Sequence, residues 1–230
     1  LAWVERGIEL ERAGGRTSGA SCSLDEMRRD LMKRLGRADE ALDSAWTAFQ
    51  SHPSEHTYET LMRYVPKSDR DAWRSKAMDV SERGQLRSVI GLWLKTKETD
   101  RLVTRLRAAS NTELEALSHY TTEPAAKRLR KSHPDIAAKL YRALGLRIVD
   151  AKKSQYYDAA LSHFEKARAC YTAAGLAERW SELVELVRGR HGRKYGFMPG
   201  FERVVDGSAS KPEPSFLERA RERWPRGGRK

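Results

Sequence analysis

The stretch "LGRADEALDSAWTAFQSHP", residues 35–53, decides how the rest of the chain is read. Gly36 stands where a helix should end, Ala41 and Ala48 lie seven residues apart, and Pro53 closes the run. Seven residues are about two helical turns, so both alanines fall on one face. Small side chains there let two helical backbones approach closely, while the bulkier Trp46 and Phe49 fill the flanking gaps. A fainter copy, "YDAALSHFEKARACY" at 157–171, again sets two alanines seven apart, Ala160 and Ala167, with Phe164 between them.

Outward from these runs the apolar spacing keeps the period of a helix. Leu24, Met27, Leu31, Met32 and Leu35 form one stripe, and Leu86, Val89, Ile90, Trp93 and Leu94 form another. The sets Ile136, Leu140, Leu144, Ile148 and Leu176, Trp180, Leu183, Val184, Val187 behave alike, and strand-like alternation is nowhere sustained. The fold class expected is all-α, with helices near 1–13, 24–35, 38–51, 55–64, 69–82, 85–95, 98–108, 112–119, 122–131, 135–151, 155–174 and 177–190. Ser23 with Glu26 has capping-box spacing, and Asn111 offers a second polar start. Gly36, Gly84 and Gly175 read as helix ends, and Pro53, Pro66, Pro124 and Pro134 as turns or first helical positions. "GGRTSGAS" at 14–21 reads as a loop.

Residues 35–53 resemble the second half of a tetratricopeptide repeat. The resemblance implies antiparallel helical hairpins in a right-handed α-solenoid-like array, its packing set by Gly36, Ala41, Ala48, Pro53, Ala160, Phe164 and Ala167. No strict period of about 34 residues links the copies, so the repeats are degenerate and a non-repetitive helical bundle is the alternative. The domain expected is a helical-repeat domain over 1–204. A basic linker and tail over 205–230 follows, in which Phe216, Leu217 and Trp224 allow a short helix at 215–224.

Three blocks carry a wider resemblance: "LAWVERGIELER" at 1–12, residues 35–54, and 133–171 together with "RGRHGRKYGF" at 188–197. They are similar to the α-helical domain of uncharacterised bacterial proteins, domains of unknown function that also occur beside SWIM-type zinc fingers. The likeness implies a helical-repeat fold, a neighbouring nucleic-acid or protein-binding module in the zinc-finger relatives, and no activity. The zinc ligands of that finger, a CxC and a CxH, are missing, since the chain has only Cys22 and Cys170, and no metal role carries over.

Composition narrows the function. With 39% apolar and 33% charged residues, 16 Gly and 8 Pro, the chain is globular in composition. No window approaches the roughly 18 apolar residues of a membrane span, and no signal pattern opens the chain, so a cytoplasmic protein is expected. Two isolated cysteines suit a reducing compartment. The chain opens at Leu1 directly in a helical pattern, which reads as a fragment of something longer. Of the net charge of +12, residues 187–230 hold 12 basic against 5 acidic side chains, or +7. Basicity so localised suggests an anionic partner or a solubilising tail.

Motifs for catalysis are missing: no GxSxG, P-loop, GxGxxG or HExxH occurs. His52 and His56 are four apart, but Pro53 interrupts them and no further ligand completes a set. The carboxylate pairs Asp39/Glu40, Glu113/Glu115 and Glu182/Glu185 read as solvated helix faces balancing arginine and lysine. No catalytic residue, metal or cofactor is expected. The decamer at 188–197 has two readings. As structure, Arg188 and Arg190 complement a helix C-terminus, and Tyr195, Phe197, Met198 and Phe201 fold back as an apolar cap. As function, Arg188, Arg190, His191, Arg193 and Lys194 beside Tyr195 form a polyanion grip with an aromatic for base stacking, which "KRLRK" at 127–131 and the tail arginines could extend. The function expected is a non-enzymatic interaction scaffold for a protein or peptide partner, with a nucleic-acid-binding accessory domain as the alternative and an enzyme with an unrecognised site behind both.

Overall fold

Alanine, leucine, glutamate and arginine lose little rotamer freedom in a helix, and the chain is rich in them. In the computed structural model, which describes residues 1–13 and 19–208 and only the backbone at 11, 12 and 19–23, no strand occurs among the described residues. The protein is all-α. The chain divides into two compact units, Leu1–Ala108 and Ala109–Lys230.

The first unit holds α1 (Ala2–Ala13), α2 (Gly19–Arg34), α3 (Ala38–Ser51), α4 (Glu55–Tyr64), α5 (Arg70–Ser81), α6 (Leu86–Thr96) and α7 (Thr99–Ala108). Ser54 caps α4 through a reciprocal pair: its Oγ accepts from the Thr57 amide at 3.2 Å, and the Thr57 hydroxyl accepts from the Ser54 amide at 3.1 Å. The core runs from Ala41, Ala45 and Phe49 on α3 through Leu61 and Met78 to Val89, Ile90 and Trp93 on α6. Burying an indole leaves its N–H in need of an acceptor. Trp93 Nε1 donates to Ser81 Oγ at 2.8 Å, and that hydroxyl donates on to the Met78 carbonyl.

The second unit holds α8 (Asn111–Glu115), α9 (His119–Leu129), α10 (Pro134–Asp150), α11 (Tyr157–Ala173), α12 (Ala177–His191) and α13 (Met198–Asp206). α10 is its centre, and its closest pairing is with α11. That pairing depends on Gly145, because a Cβ there would lie 2.7–2.9 Å from the ring atoms of Phe164. Ala160, Phe164 and Ala167 share the buried face of α11, and none of them reaches solvent.

Several boundaries depart from the sequence reading. α2 begins at Gly19, so the Ser23–Glu26 spacing falls inside a helix and residues 19–21 leave the expected loop. Adding a residue to a formed helix closes one further hydrogen bond, which outweighs the weak loop preference of glycine and serine. Ser110, not Asn111, caps α8, its Oγ accepting from the Glu113 amide at 3.1 Å, and the helix stops after five residues. α9 begins at His119 and carries Pro124 in its interior. Burial of Thr122, Ala125, Ala126 and Leu129 outweighs the backbone hydrogen bond that proline forgoes. α13 was not foreseen, and it takes in two residues read as linker, 205 and 206. The remaining loop residues 14–18 and the tail from 209, with the short helix expected at 215–224, lie outside the described residues.

Candidate polyanion-binding site

The basic decamer closes α12 and turns the chain into α13. Within the turn the Lys194 amide donates to the His191 carbonyl at 2.8 Å and the Phe197 amide to the Lys194 carbonyl at 2.9 Å. Phe197 and Phe201 are fully buried. Phe201 meets Phe164 edge-on at 5.2 Å between centroids, and Phe197 meets Tyr157 at 5.3 Å. Edge-to-face contacts of this kind place the positive ring edge on the negative face of the neighbour. Phe197 and Phe201 thus cover α11, with Met198 half-buried beside them. Tyr195 is no part of the cap: it is 84% exposed. Sequence alone could not separate it from the other aromatics, because the turn that sends it outward rests on backbone hydrogen bonds.

The six residues singled out for anion binding have unlike surroundings. Arg188 lays its guanidinium against Glu202 in a two-pronged pair, Nε to Oε1 at 3.0 Å and Nη2 to Oε2 at 2.7 Å, and Nη1 donates to Glu185 at 3.1 Å. These carboxylates raise the already high pKa of Arg188, and the guanidinium holds the Glu202 carboxyl below its ordinary range. Lys194 donates its ammonium to the Val149 carbonyl in the last turn of α10, the place where a cation complements the helix dipole. His191 is buried, with Nε2 3.0 Å from Asp150 Oδ1. Burial, then the Lys194 charge, lowers its pKa against the opposing pull of Asp150. Arg190 and Arg193 are exposed and have no ion-pair partner among the described residues. Of the six residues, two cations and one tyrosine therefore face solvent without a partner. Glu185 was legible as a partner, three residues before Arg188 on one helix face. Glu202 was not, because it lies on the unforeseen α13.

In "KRLRK", Lys127 pairs with Glu123 at 2.8 Å, and Arg128 and Lys131 are exposed. Of the paired carboxylates, Glu40 meets Arg37, Glu115 meets Arg142, Glu182 meets Arg179 and Glu185 meets Arg188. Cys170 is buried and its thiol is pushed up by that burial; the Cys22 side chain lies outside the described residues. No group of three or more His, Cys, Asp or Glu could hold a metal ion among the described residues. No helix among them is long and apolar enough to cross a membrane.

The repeat-packing residues are placed as follows. Gly36 has φ +77° at the end of α2, Ala41 and Pro53 are buried, and Ala48 is half-buried. Ala45, which the seven-residue spacing passed over, takes the second fully buried place on α3. An i, i+4, i+8 reading of Ala41, Ala45 and Phe49 would have found it.

No curated protein and no solved structure matches the chain. A family model does match, over residues 1–199, from α1 to the first residues of α13, and the chain belongs to that family, DUF6880, a family of unknown function.

Proposed function

We propose that this protein is a non-enzymatic interaction scaffold, a degenerate tetratricopeptide-like array of helical hairpins that offers its surface to a protein or peptide partner. The observation that carries the reading is the locality of the packing. Within each unit every substantial pairing joins helices no more than two places apart in chain order, as in α2 with α3, α3 with α4, α9 with α10 and α10 with α11. Arrays in which each element packs on its neighbours expose long surfaces for binding, and this is the usual service of such folds. Exposed aromatics such as Tyr120 and Tyr195 supply rigid contact area of the kind that anchors interfaces. A cytoplasmic helical domain of the sort found in bacterial proteins beside SWIM-type zinc fingers would play such a part.

The nucleic-acid reading is the second, and it rests on Arg190, Arg193 and Tyr195. Anisotropy of labelled single- and double-stranded DNA and RNA, at about 50 and 200 mM salt, separates the two, since phosphate contacts weaken steeply with salt. The scaffold reading predicts little binding at either salt. The nucleic-acid reading also predicts that Glu185→Gln with Glu202→Gln, which frees Arg188, increases binding by a few-fold. Tight, salt-sensitive binding by the unmodified chain, lost in Arg190→Ala with Arg193→Ala, would replace the scaffold reading with the nucleic-acid one.

A further inference from the structure

Two tryptophans of the first unit form a corner. Trp46 on α3 and Trp73 on α5 have ring centroids 5.3 Å apart and planes inclined at 77°, and both are half-buried. Lys76, one turn beyond Trp73, places its ammonium inside that corner, with Nζ 4.4 Å from the Trp46 centroid and 4.5 Å from the Trp73 centroid. Lys76 is exposed and has no ion-pair partner among the described residues, so the two indole faces are what hold its charge. The walls are fixed from behind. Fully buried Phe49 stacks on Trp46 at 5.8 Å, and Tyr58 meets Phe49 edge-on.

Among the aromatic side chains the indole face attracts a cation most strongly, and two such faces near right angles enclose an ammonium on two sides. We propose that the Trp46–Trp73 corner is a binding site for an alkylammonium group, a lysine side chain or a quaternary ammonium, and that Lys76 is its built-in occupant. Lys76 stands on a flexible four-carbon stem and returns to water when it leaves, so the exchange replaces one cation by another. A primary ammonium is strongly hydrated and gives up water on entering, whereas a quaternary ammonium gives up less. The site therefore favours the methylated group over the resident lysine. No ion pair holds Lys76 in the corner, so a cation bound in its place depends on the ring faces. This inference stands whether or not the scaffold reading holds.

The test titrates the full chain with choline and with its uncharged isostere 3,3-dimethylbutan-1-ol, following the indole N–H resonances of Trp46 and Trp73. Choline should shift both resonances, and the alcohol should bind about tenfold more weakly, since only the cation meets the ring quadrupole. Lys76→Ala should tighten choline binding about tenfold by emptying the corner. Affinity should hardly change between about 50 and 500 mM sodium chloride, because no screened ion pair takes part. Trp73→Ala should abolish the shifts with the helical circular dichroism retained. If Trp73→Ala unfolds, the choline and alcohol comparison on Lys76→Ala decides alone. Equal affinity for choline and the alcohol, or no tightening in Lys76→Ala, overturns the proposal.

Discussion

Ten of the seventeen residues of α10 are buried, whereas α6, the most buried helix of the first unit, buries five of eleven. α10 is enclosed by α8, α9, α11 and α12, and its fit depends on volume: Gly145 is the only size that leaves room for the Phe164 ring. Helices of the first unit keep one apolar stripe each and lace their outer faces with ion pairs, Lys95 to Glu55 and Glu59, Arg101 to Asp79 and Glu82, Arg74 to Glu98. Exposed pairs of this kind contribute little individually, about 0–1 kcal/mol. The difference teaches that stability in the second unit is concentrated at a few buried side chains, while in the first it is spread along amphipathic faces.

The largest effect should follow from Phe164→Ala. It leaves a cavity between Gly145, Phe197 and Phe201 and should cost about 3–5 kcal/mol, read by urea denaturation of the full chain. Phe49→Ala, equally buried but flanked by the half-exposed Trp46 and Tyr58, should cost less because its surroundings can relax toward solvent. Equal costs would break the comparison.

Next comes pH. His163, buried on α11 with Nδ1 unpartnered, has its pKa pushed down to about 4 by burial and then by the Lys166 charge, against the opposing Glu123 carboxylate. A lowered histidine pKa means that the fold prefers the neutral ring. Stability from this source is complete above the unfolded value of 6.5 and is lost as pH falls from there through about 4, where the unfolded chain takes up a proton that the folded chain refuses. The loss amounts to at most about 3 kcal/mol. Urea midpoints at pH 7 and about pH 4.5 should differ more for the unmodified chain than for His163→Leu. The same spread in both would show that His163 takes up its proton without resistance.

The first unit should answer size changes in a graded way. Ala41→Leu forces a branched side chain into a position with no exposure and should cost about 1–3 kcal/mol. Ala48→Leu points into half-open space and should change stability by less than about 0.5 kcal/mol. Similar costs at both sites would mean that two small positions seven apart do govern the α3 packing, as the sequence spacing alone suggests.

Much of the architecture could be read before the structure, for identifiable reasons. The stripes of α6, α10 and α12 and the ends at Gly36 and Gly175 rest on local periodicity and left-handed backbone, both written in a few adjacent residues. α13 was hidden because "MPGFERVVD" carries a proline and a glycine in its first turn, and its helix is held by burial of Phe201 and Val204 and by the Arg188–Glu202 pair. The candidate site was half-legible for the same reason. A run of arginines shows that charge is present, but whether a carboxylate or a helix-end carbonyl already answers it depends on partners such as Glu202 and Val149, 14 and 45 residues away. The Trp46–Trp73 corner lay equally out of reach, since nothing local relates two tryptophans on different helices.

A small effect of the opposite sign concerns how helices end, and here the first unit can be improved. Gly36, Gly175 and Gly207 each take a left-handed φ of 70–78° and let the following amide reach back five residues, Arg37 to Met32, Leu176 to Tyr171, Ser208 to Arg203. α6 ends in the same device, with the Glu98 amide donating to the Trp93 carbonyl at 2.9 Å, but the left-handed place at φ 63° is taken by Lys97. A Cβ in that conformation crowds the following carbonyl at a cost of about 1–2 kcal/mol, while glycine pays a larger entropy in the unfolded chain. The two terms leave a net gain of about 0.5–1 kcal/mol for Lys97→Gly, visible as a higher urea midpoint with an unchanged slope. Gly175→Ala, the converse change in the second unit, should lose a similar amount. A gain in one and a loss in the other would establish that both units terminate helices by the same backbone rule, however differently they fill their cores.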